Sequence, residues 1–242
     1  MYNSFMETWL IWLPFIGLIV AGVLGSVTKK KFREQQVTFG KKANAINKTG
    51  AQIATDILQK NGIMNVRVIR GQEGTDHYNS KTNVISLSPS VHDSASVYAM
   101  SVAAHEVGHA IQWAKQYKGV KVRDSLMPAV QMVTKVSGAV MQIMFILWIF
   151  GGTNQDSYAT YLFFFAMSLI ATGLFQLSTL PIEFNASKRA AAELDSLNYL
   201  GEGEVEGVKK TLNAAAMTYV IAFVTTMMFV TILLLRVLAR RK

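Results

Sequence analysis

The chain contains no cysteine, and this absence excludes several kinds of chemistry. A protein without thiols has no disulfide framework, no cysteine nucleophile and no zinc site built on cysteine sulfur. Histidine is also scarce, with 4 residues among 242. Any transition-metal site must therefore be assembled from these few imidazoles together with aspartate or glutamate carboxylates.

Charged residues are also scarce in this chain. Only 16% of the residues are charged and 51% are hydrophobic, whereas an average soluble protein is about 25% charged. The net charge is nevertheless +9, which in a soluble protein would suggest nucleic-acid binding. Membrane proteins become basic because Lys and Arg collect in their cytoplasmic loops, so nucleic acid is not an expected partner. The composition predicts a chain that spends much of its length in a lipid bilayer.

Four apolar segments are long enough to cross a bilayer, which requires about 20 residues. They are predicted as transmembrane helices at 8–28, 127–152, 157–180 and 213–235. The first segment lacks the charged start and the cleavage site of a signal peptide, so it is predicted to be an uncleaved anchor. Lys135 lies near the start of the second segment, where its ammonium group can reach the interface by snorkelling.

The distribution of basic residues predicts the orientation of these spans. A run of lysines at 29–31 follows the first span directly, whereas the loop at 152–157 has no Lys or Arg and carries Asp156. Because cytoplasmic loops are enriched in Lys and Arg, 29–126 and 181–212 are predicted to be cytoplasmic. The basic tail after the fourth span does not fit this scheme, and the side of the C-terminus stays open.

The predicted cytoplasmic segments have the patterns of a small α+β region. Apolar periodicity predicts an amphipathic helix over 36–61, and short β-branched segments predict strands at 66–70 and 84–88. The residues 79–83 are typical of a turn between them, and an Ala-rich helix is predicted over 94–116. The fold class is therefore mainly α, an integral membrane protein with about four transmembrane helices and a small β-sheet.

The last of these helices contains the motif His105-Glu106-Val107-Gly108-His109. Residues four apart share one helix face, so the two imidazoles can bind one zinc ion. Glu106 can reach the open coordination position, take a proton from zinc-bound water and later pass it to the leaving amine. A lone histidine on an apolar helix is usually a core residue. Two histidines around a glutamate, with no charged neighbours to pair with, favour the metal site instead.

A catalytic zinc site needs a third protein ligand, and the sequence offers several. Glu183 is preferred, because it follows Pro181 after the third span and would open an alanine-containing helix able to pack closely on the catalytic helix. Its alternative role is that of a glutamate stabilised by the positive end of a helix. Of the other acidic candidates, Asp156 lies across the predicted membrane and Asp124 has basic neighbours. The glutamates at 202, 204 and 206 lie in a Gly-Glu run that is predicted to be a solvated loop. The remaining candidates are His77, His92, Asp124, Asp156, Glu202, Glu204 and Glu206.

Several segments carry a family resemblance that covers nearly the whole chain. They read DHYN at 76–79, VISLSP at 84–89, VAAHEVGHAIQ at 102–112, LPIEFNASKRA at 180–190 and LNAAAMTY at 212–219. Together they resemble the YugP-like neutral zinc metallopeptidases of bacterial membranes, and the last three are the specific ones. That family is distantly related to HtpX and the CAAX prenyl proteases.

The resemblance implies a zinc cofactor on His105, His109 and Glu183, with Glu106 as the catalytic base and a zincin-like catalytic region. It also implies a bacterial inner membrane as the location. One departure is visible, because the family usually carries Asp where this chain has Asn185. A side chain at this position can form a hydrogen bond to a metal ligand from behind, and Asn can still accept a hydrogen bond. The replacement is therefore expected to change the properties of the metal ligands without loss of function.

A peptidase of this kind usually supplies one more group that stabilises the oxyanion. The candidates are His77, Tyr78 and Arg189. The alternative is that the first two are simply turn or strand residues and that the third extends to lipid phosphate. The strand predicted at 84–88 precedes the catalytic helix. It is therefore expected to be the sheet edge to which substrate adds as an extra strand.

These patterns predict a zinc-dependent membrane endopeptidase formed by one domain over 1–242, with its active site facing the cytoplasm. Its partners are a protein or peptide substrate, membrane-embedded or membrane-proximal, and the lipid bilayer, while the oligomeric state is open. The alternative is a non-catalytic zinc-binding membrane scaffold or adaptor. Structural zinc sites close with four ligands and usually use cysteine, which disfavours the scaffold. A transporter is disfavoured because Lys135 alone places a charge in the spans.

Overall fold

Helices dominate the computed structural model, which describes residues 2–150 and 155–239, with side chains at 12–150 and 159–236. The mainly helical fold with a small sheet that the sequence predicts is confirmed. The elements in chain order are α1 Tyr2–Gly40, α2 Gly50–Lys60, β1 Arg67–Arg70, β2 His77–Asn79, β3 Val84–Leu87, α3 Pro89–His92, α4 Val97–Ala114, α5 Lys118–Ile149, α6 Gln155–Ser196 and α7 Glu204–Ala239.

Within the described residues, four helices, α1, α5, α6 and α7, contain stretches long and apolar enough to cross a membrane. The four predicted spans are confirmed in this sense. Three of them lie within longer helices, whereas the span predicted at 127–152 extends past the end of α5 at Ile149, and 151–152 lie outside the described residues. Large apolar side chains along these stretches are exposed, among them Phe15, Trp148 and Phe163. Such surfaces would promote aggregation in water but suit a lipid environment. Of the loop predicted at 152–157, residues up to 154 lie outside the described part of the chain.

The chain divides into two compact units. One unit combines the described residues up to Ser26 with Val122–Ser178 and the chain from Val220 onward. The other combines Val27–Lys121 with Thr179–Tyr219 and contains all three strands and the helices α2, α3 and α4. The single-domain organisation stays a prediction, and the site described below lies within the second unit.

The three strands form a mixed sheet in the order β1-β3-β2. β1 pairs with β3 in parallel, with Val68 opposite Ile85, and β2 pairs with β3 antiparallel, with His77 opposite Ser86. The prediction that 84–88 forms the sheet edge is therefore wrong, because β3 is the central strand and is paired on both sides. β2, with three residues and no β-branched run, is too short for sequence patterns to detect.

The single helix predicted over 36–61 is also wrong, because α1 ends at Gly40 and α2 begins only at residue 50. In the connection, the Asn44 side chain hydrogen-bonds to the backbone four residues further on, and Asn47 has a φ of 49°. Local side-chain to backbone bonds of this kind compete with helix formation. A reciprocal capping box between Thr49 and Gln52 then begins α2.

The start of the helix predicted at Glu183 needs correction as well. α6 runs without interruption from Gln155 to Ser196, with Pro181 inside it. Proline removes one backbone donor from a helix, which can bend the helix without ending it. Glu183 therefore lies in the interior of a long helix, and stabilisation by a helix N-terminus does not account for its presence.

The Gly-Glu run before the last helix is not a uniformly solvated loop. Glu204 is buried in the first turn of α7, where its carboxylate accepts hydrogen bonds of 2.8 Å from the backbone N–H groups of Ala45 and Gly201. The bond from Ala45 attaches the start of α7 to the connection between α1 and α2.

α4 forms the centre of the core of the second unit. Its N-terminus is capped by Ser96, whose hydroxyl accepts from the N–H of Ala99, and most of its residues are buried. α2, α3 and the sheet pack around it, and Leu194 of α6 and Leu212 of α7 belong to the same cluster. A helix that is apolar on nearly every side is stable only when surrounded in this way, and its polar residues are held rigidly as a result.

Candidate metal centre and active site

α4 places both motif histidines on one face. His105 and His109 are one turn apart, and their ring centroids are separated by 4.8 Å with the planes nearly perpendicular. Both rings are partly buried. The spacing follows directly from the helix repeat, since side chains four residues apart are neighbours on the helix surface.

Glu183 of α6 brings a carboxylate to the same two imidazoles. Its Oε2 lies 3.3 Å from Nε2 of His105 and 3.6 Å from Nε2 of His109, and the residue is 5% exposed. Within the described residues, these three side chains are the group whose donor atoms all lie within 4.8 Å of one another and could hold a metal ion.

The donor set fits zinc in both chemistry and spacing. Two imidazole nitrogens and a carboxylate oxygen are a known catalytic zinc ligand set, which leaves a fourth position open. Ligand atoms around a tetrahedral zinc at bonds of about 2.0–2.1 Å lie about 3.3–3.4 Å apart. The 3.3 and 3.6 Å separations between Glu183 and the two histidines are close to that value.

The second nitrogen of each imidazole also has a partner. Nδ1 of His105 is 3.2 Å from the Ser187 hydroxyl, and Nδ1 of His109 is 3.0 Å from Oε1 of Gln112. The tautomer in which Nδ1 carries the proton lets His109 donate to this amide oxygen. That tautomer leaves the Nε2 lone pairs, which lie nearest Glu183, available for a metal.

Gln112 is a residue whose role sequence patterns do not reveal. Its side chain is fully buried on α4, and its amide nitrogen donates to the backbone carbonyl of Ile182 at 2.8 Å and to Oδ1 of Asn185 at 3.0 Å. Gln112 therefore links the histidine-bearing helix to the glutamate-bearing helix while it orients His109. A polar residue one turn after a predicted ligand, on an otherwise apolar helix, is the signal that could have identified it.

Asn185 completes this network behind the three metal-site residues. Its Oδ1 accepts from Gln112 and, at 2.8 Å, from Nε of Arg189 one turn later on α6. Both bonds use the oxygen, so the asparagine supplies the same acceptor that an aspartate would. The idea that Asn185 influences the metal ligands stays a prediction.

Gly108 allows the two helices to approach closely. A Cβ at this position would lie 2.6 Å from the carbonyl oxygen of Ala186 and 3.2 Å from its Cα. Contacts of that length with backbone atoms cannot be relieved by rotating a side chain. The glycine inside the motif is therefore required by the α4–α6 packing that brings Glu183 to the histidines.

We expect Gly108→Ala to destabilise the protein by about 1–3 kcal/mol, the usual cost of inserting a methyl group into a packed interior. For a chain of this size, the midpoint of thermal denaturation in detergent should fall by about 2–12 °C. Bound zinc, measured by mass spectrometry, should fall in parallel. Gly138→Ala is the matched control, because a Cβ there meets nothing within 4 Å. Equal behaviour of the two variants would contradict the packing argument.

A cavity of about 350 Å³ adjoins the motif and is lined by His105 and Glu106 together with residues of α1, the β1–β2 loop and α7. Glu106 is 7% exposed, and no described residue donates a hydrogen bond to its carboxylate. A carboxylate in this position can accept a proton from a water molecule in the cavity.

The three residues predicted to stabilise the oxyanion do not line this cavity. His77 is exposed with its Nδ1 2.7 Å from the carbonyl of Thr75, and the Tyr78 hydroxyl donates to Asn83. The guanidinium of Arg189 bonds to Asn185, as described above. Their proposed role stays untested by this arrangement. Two tyrosines that sequence patterns did not select, Tyr98 and Tyr219, do line the cavity.

The alternative third ligands with described side chains lie elsewhere, while the side chain of Asp156 is outside the described part of the chain. His92 Nδ1 is 2.6 Å from the Asp93 carboxylate at the end of α3, and Asp124 pairs with Arg123 at 3.0 Å. Within the described residues, neither these side chains nor Glu204 belong to the group around His105.

The electrostatic field at the site favours a cation. Burial alone would lower the pKa of His109, but the neighbouring carboxylates of Glu183 and Glu106 outweigh it and raise the pKa above its usual value. A field that favours a positive charge on an imidazole also favours a divalent cation beside it.

Comparison with known proteins gives two matches. A family model described as "Putative neutral zinc metallopeptidase" matches residues 14–238. A curated protein of Bacillus subtilis (strain 168), described as "Putative membrane protease YugP", is 36% identical over 211 residues, which cover 86% of this chain and 89% of that protein. No solved structure matches the chain significantly.

Proposed function

This chain belongs to the neutral zinc metallopeptidase family, and from that membership we propose that it is a zinc-dependent endopeptidase acting on membrane or membrane-proximal proteins. The observation that carries the proposal is the meeting of His105, His109 and Glu183 beside a cavity lined by Glu106. A closed structural site would need a fourth protein ligand, and none lies with these three among the described residues.

His105, His109 and Glu183 are the side chains that would hold the zinc. When bound, zinc acts as a Lewis acid that polarises the scissile carbonyl and lowers the pKa of water. Ser187 and Gln112 orient the two imidazoles from behind, which keeps the ligand geometry preorganised.

Glu106 is proposed to move the proton. Its carboxylate accepts a proton as a water oxygen attacks the carbonyl carbon of the peptide. When the C–N bond breaks, the protonated Glu106 gives that proton to the leaving nitrogen. The products are a carboxylic acid and an amine, so the elements of one water are added and the enzyme returns to its starting state.

The membrane location rests on the four apolar helices and on the relative described as a membrane protease. We place the chain in a bacterial inner membrane with its active site on the cytoplasmic side. The basic run at 29–31 that follows the first apolar segment supports this orientation, because Lys and Arg are enriched on the cytoplasmic side. A site tethered in this way favours substrates that are themselves in or near the membrane.

Removing zinc should abolish proteolysis reversibly. We expect the full chain, purified in a neutral detergent, to cleave fluorescein-labelled casein, to lose this activity after dialysis against a metal chelator, and to regain it when zinc is returned. The reason is that the carbonyl and the water both depend on the bound cation for activation. The measurement is fluorescence release, with zinc content followed in the same samples.

A serine-protease inhibitor serves as the control and should have no effect. Cleavage that persists in the chelated, zinc-free protein would contradict the proposal. A protein that retains zinc but cleaves neither casein nor membrane-protein reporters would favour the scaffold alternative.

A further inference from the structure

The cavity beside Glu106 has a charge of one sign. Its charged lining residues are the acidic Glu73, Asp76 and Glu106, and no Lys or Arg of the described residues lines it. The chain as a whole has 24 basic and 15 acidic residues. An acidic cavity in a basic chain is therefore a local feature that composition does not explain.

The acidic loop between β1 and β2 is held in place by neutral donors. Asp76 accepts from the backbone N–H of Ser88 at 2.6 Å and from its hydroxyl at 2.9 Å, and Glu73 accepts from the hydroxyl of Ser90. These bonds orient the two carboxylates without neutralising them. Among the described residues, neither carboxylate forms an ion pair.

Two hydroxyl groups of the same lining, each on a buried residue, lack partners among the described residues. Tyr98 is 5% exposed, and its hydroxyl has no hydrogen-bond partner among the described residues. Burial and the nearby charges of Asp76 and Glu73 raise the pKa of Tyr98 to about 12, so the hydroxyl stays protonated. Thr211 is 2% exposed, and its hydroxyl is also unpartnered in the described structure. The unpartnered hydroxyl of Tyr98, on an otherwise buried side chain of the cavity lining, could be satisfied by a polar ligand.

The remaining wall of the cavity is apolar. Phe32 and Tyr98 meet edge to face with centroids 6.4 Å apart, and Leu212 of α7 lines the same space. An aromatic and aliphatic wall suits the methylene stem of a long side chain, while the carboxylates suit a cation at its end. Lysine and arginine are the side chains that combine both parts.

We propose that this cavity is a specificity subsite that receives a lysine or arginine side chain of the substrate, near the bond to be cleaved. The inference rests on the proposed peptidase function and names its substrate class. Glu73 and Asp76 face the cationic group, Tyr98 and Phe32 contact the stem, and Glu106 belongs to the adjoining catalytic group.

Peptide binding to the zinc-loaded Glu106→Gln full chain in neutral detergent tests this subsite without requiring cleavage. The probes are fluorescein-labelled nonapeptides of Ala and Ser with Lys, norleucine or Glu at the centre, and the measurement is fluorescence anisotropy. We expect the Lys peptide to bind about tenfold more tightly than the norleucine peptide, because its ammonium group would face two carboxylates. This preference should weaken with added salt.

Adding Glu73→Gln and Asp76→Asn should remove the preference for Lys, since both replacements keep the side-chain shape and one acceptor oxygen but lose the charge. Glu73 is exposed, so Glu73→Lys should fold and should shift the preference towards the Glu peptide. The matched control adds Glu202→Gln and Asp195→Asn, which remove the same charge from exposed positions outside the lining. That control should keep the Lys preference.

Equal or tighter binding of the norleucine peptide would overturn the inference, and so would failure of all the peptides to bind. Either result leaves the proposed peptidase function to be judged by the chelator-sensitive cleavage of casein. Conversely, a Lys preference that is lost in the Glu73→Gln, Asp76→Asn protein supports the subsite whatever the casein assay shows.

Discussion

Glu106→Gln is expected to reduce peptide cleavage by about 10²–10⁴-fold, the usual contribution of a general base, while zinc stays bound. The amide has nearly the same shape as the carboxylate but cannot take a proton from water. Glu106 does not belong to the group of side chains that meet at the metal position, so its replacement removes no ligand. The assay measures cleavage rate and zinc content on the same preparations.

Two further variants make the result specific. Glu106→Asp keeps the carboxylate but shortens its reach, and it should retain more activity than the glutamine variant. Glu202→Gln makes the same chemical change at an exposed position outside the cavity lining and should behave like the wild type. If Glu106→Gln kept more than about a tenth of the wild-type rate, its role as the base would be untenable.

Glu183→Gln is expected to weaken zinc binding by at least about 100-fold, since the loss of partners behind the ligands alone costs 10–100-fold. The variant keeps the volume of the side chain but loses the anionic oxygen that faces both histidines. A ligand raises the stability of a protein only if the folded state binds it. Added zinc should therefore raise the denaturation midpoint of the wild type and leave that of the variant nearly unchanged. Competition with a fluorescent chelator measures the affinity directly.

Glu193→Gln is the matched control on the same helix. Glu193 pairs with Lys60 at 3.0 Å and does not belong to the metal-site group among the described residues. Partly exposed ion pairs contribute little to stability, so zinc binding and denaturation should change little. Zinc affinity retained in Glu183→Gln but lost in His105→Ala would show that the third ligand comes from elsewhere in the chain.

Some failures of sequence reasoning share one cause, which is that a local pattern does not report which neighbours an element will have. The periodicity over 36–61 is that of a helix, yet the hydrogen bonds of Asn44 and the cap at Thr49 end one helix and begin another. The short strand β2 carries no apolar alternation, although its pairing makes β3 the central strand. Pairing and capping are decided by contacts that periodicity does not encode.

Sequence patterns did not identify the residues that support the metal site, for a related reason. Gln112 and Gly108 have ordinary local roles in a helix, and only the approach of α6 reveals what they do. Gln112 bonds to that helix, and Gly108 leaves room for its backbone. The sequence likewise indicates only that Tyr98 is an aromatic core residue, whereas the structure places it in the lining of the cavity, beside the acidic loop.

The sequence by itself determined the apolar helices and the histidine pair with its glutamate, because both follow from short-range rules of bilayer thickness and helix repeat. Tertiary structure alone decided that Glu183, from a distant helix, stands within 3.6 Å of both histidines. It also decided that an acidic loop lines the cavity beside Glu106. Such meetings depend on how the helices and the sheet pack, and packing is a property of the whole core that no local pattern contains.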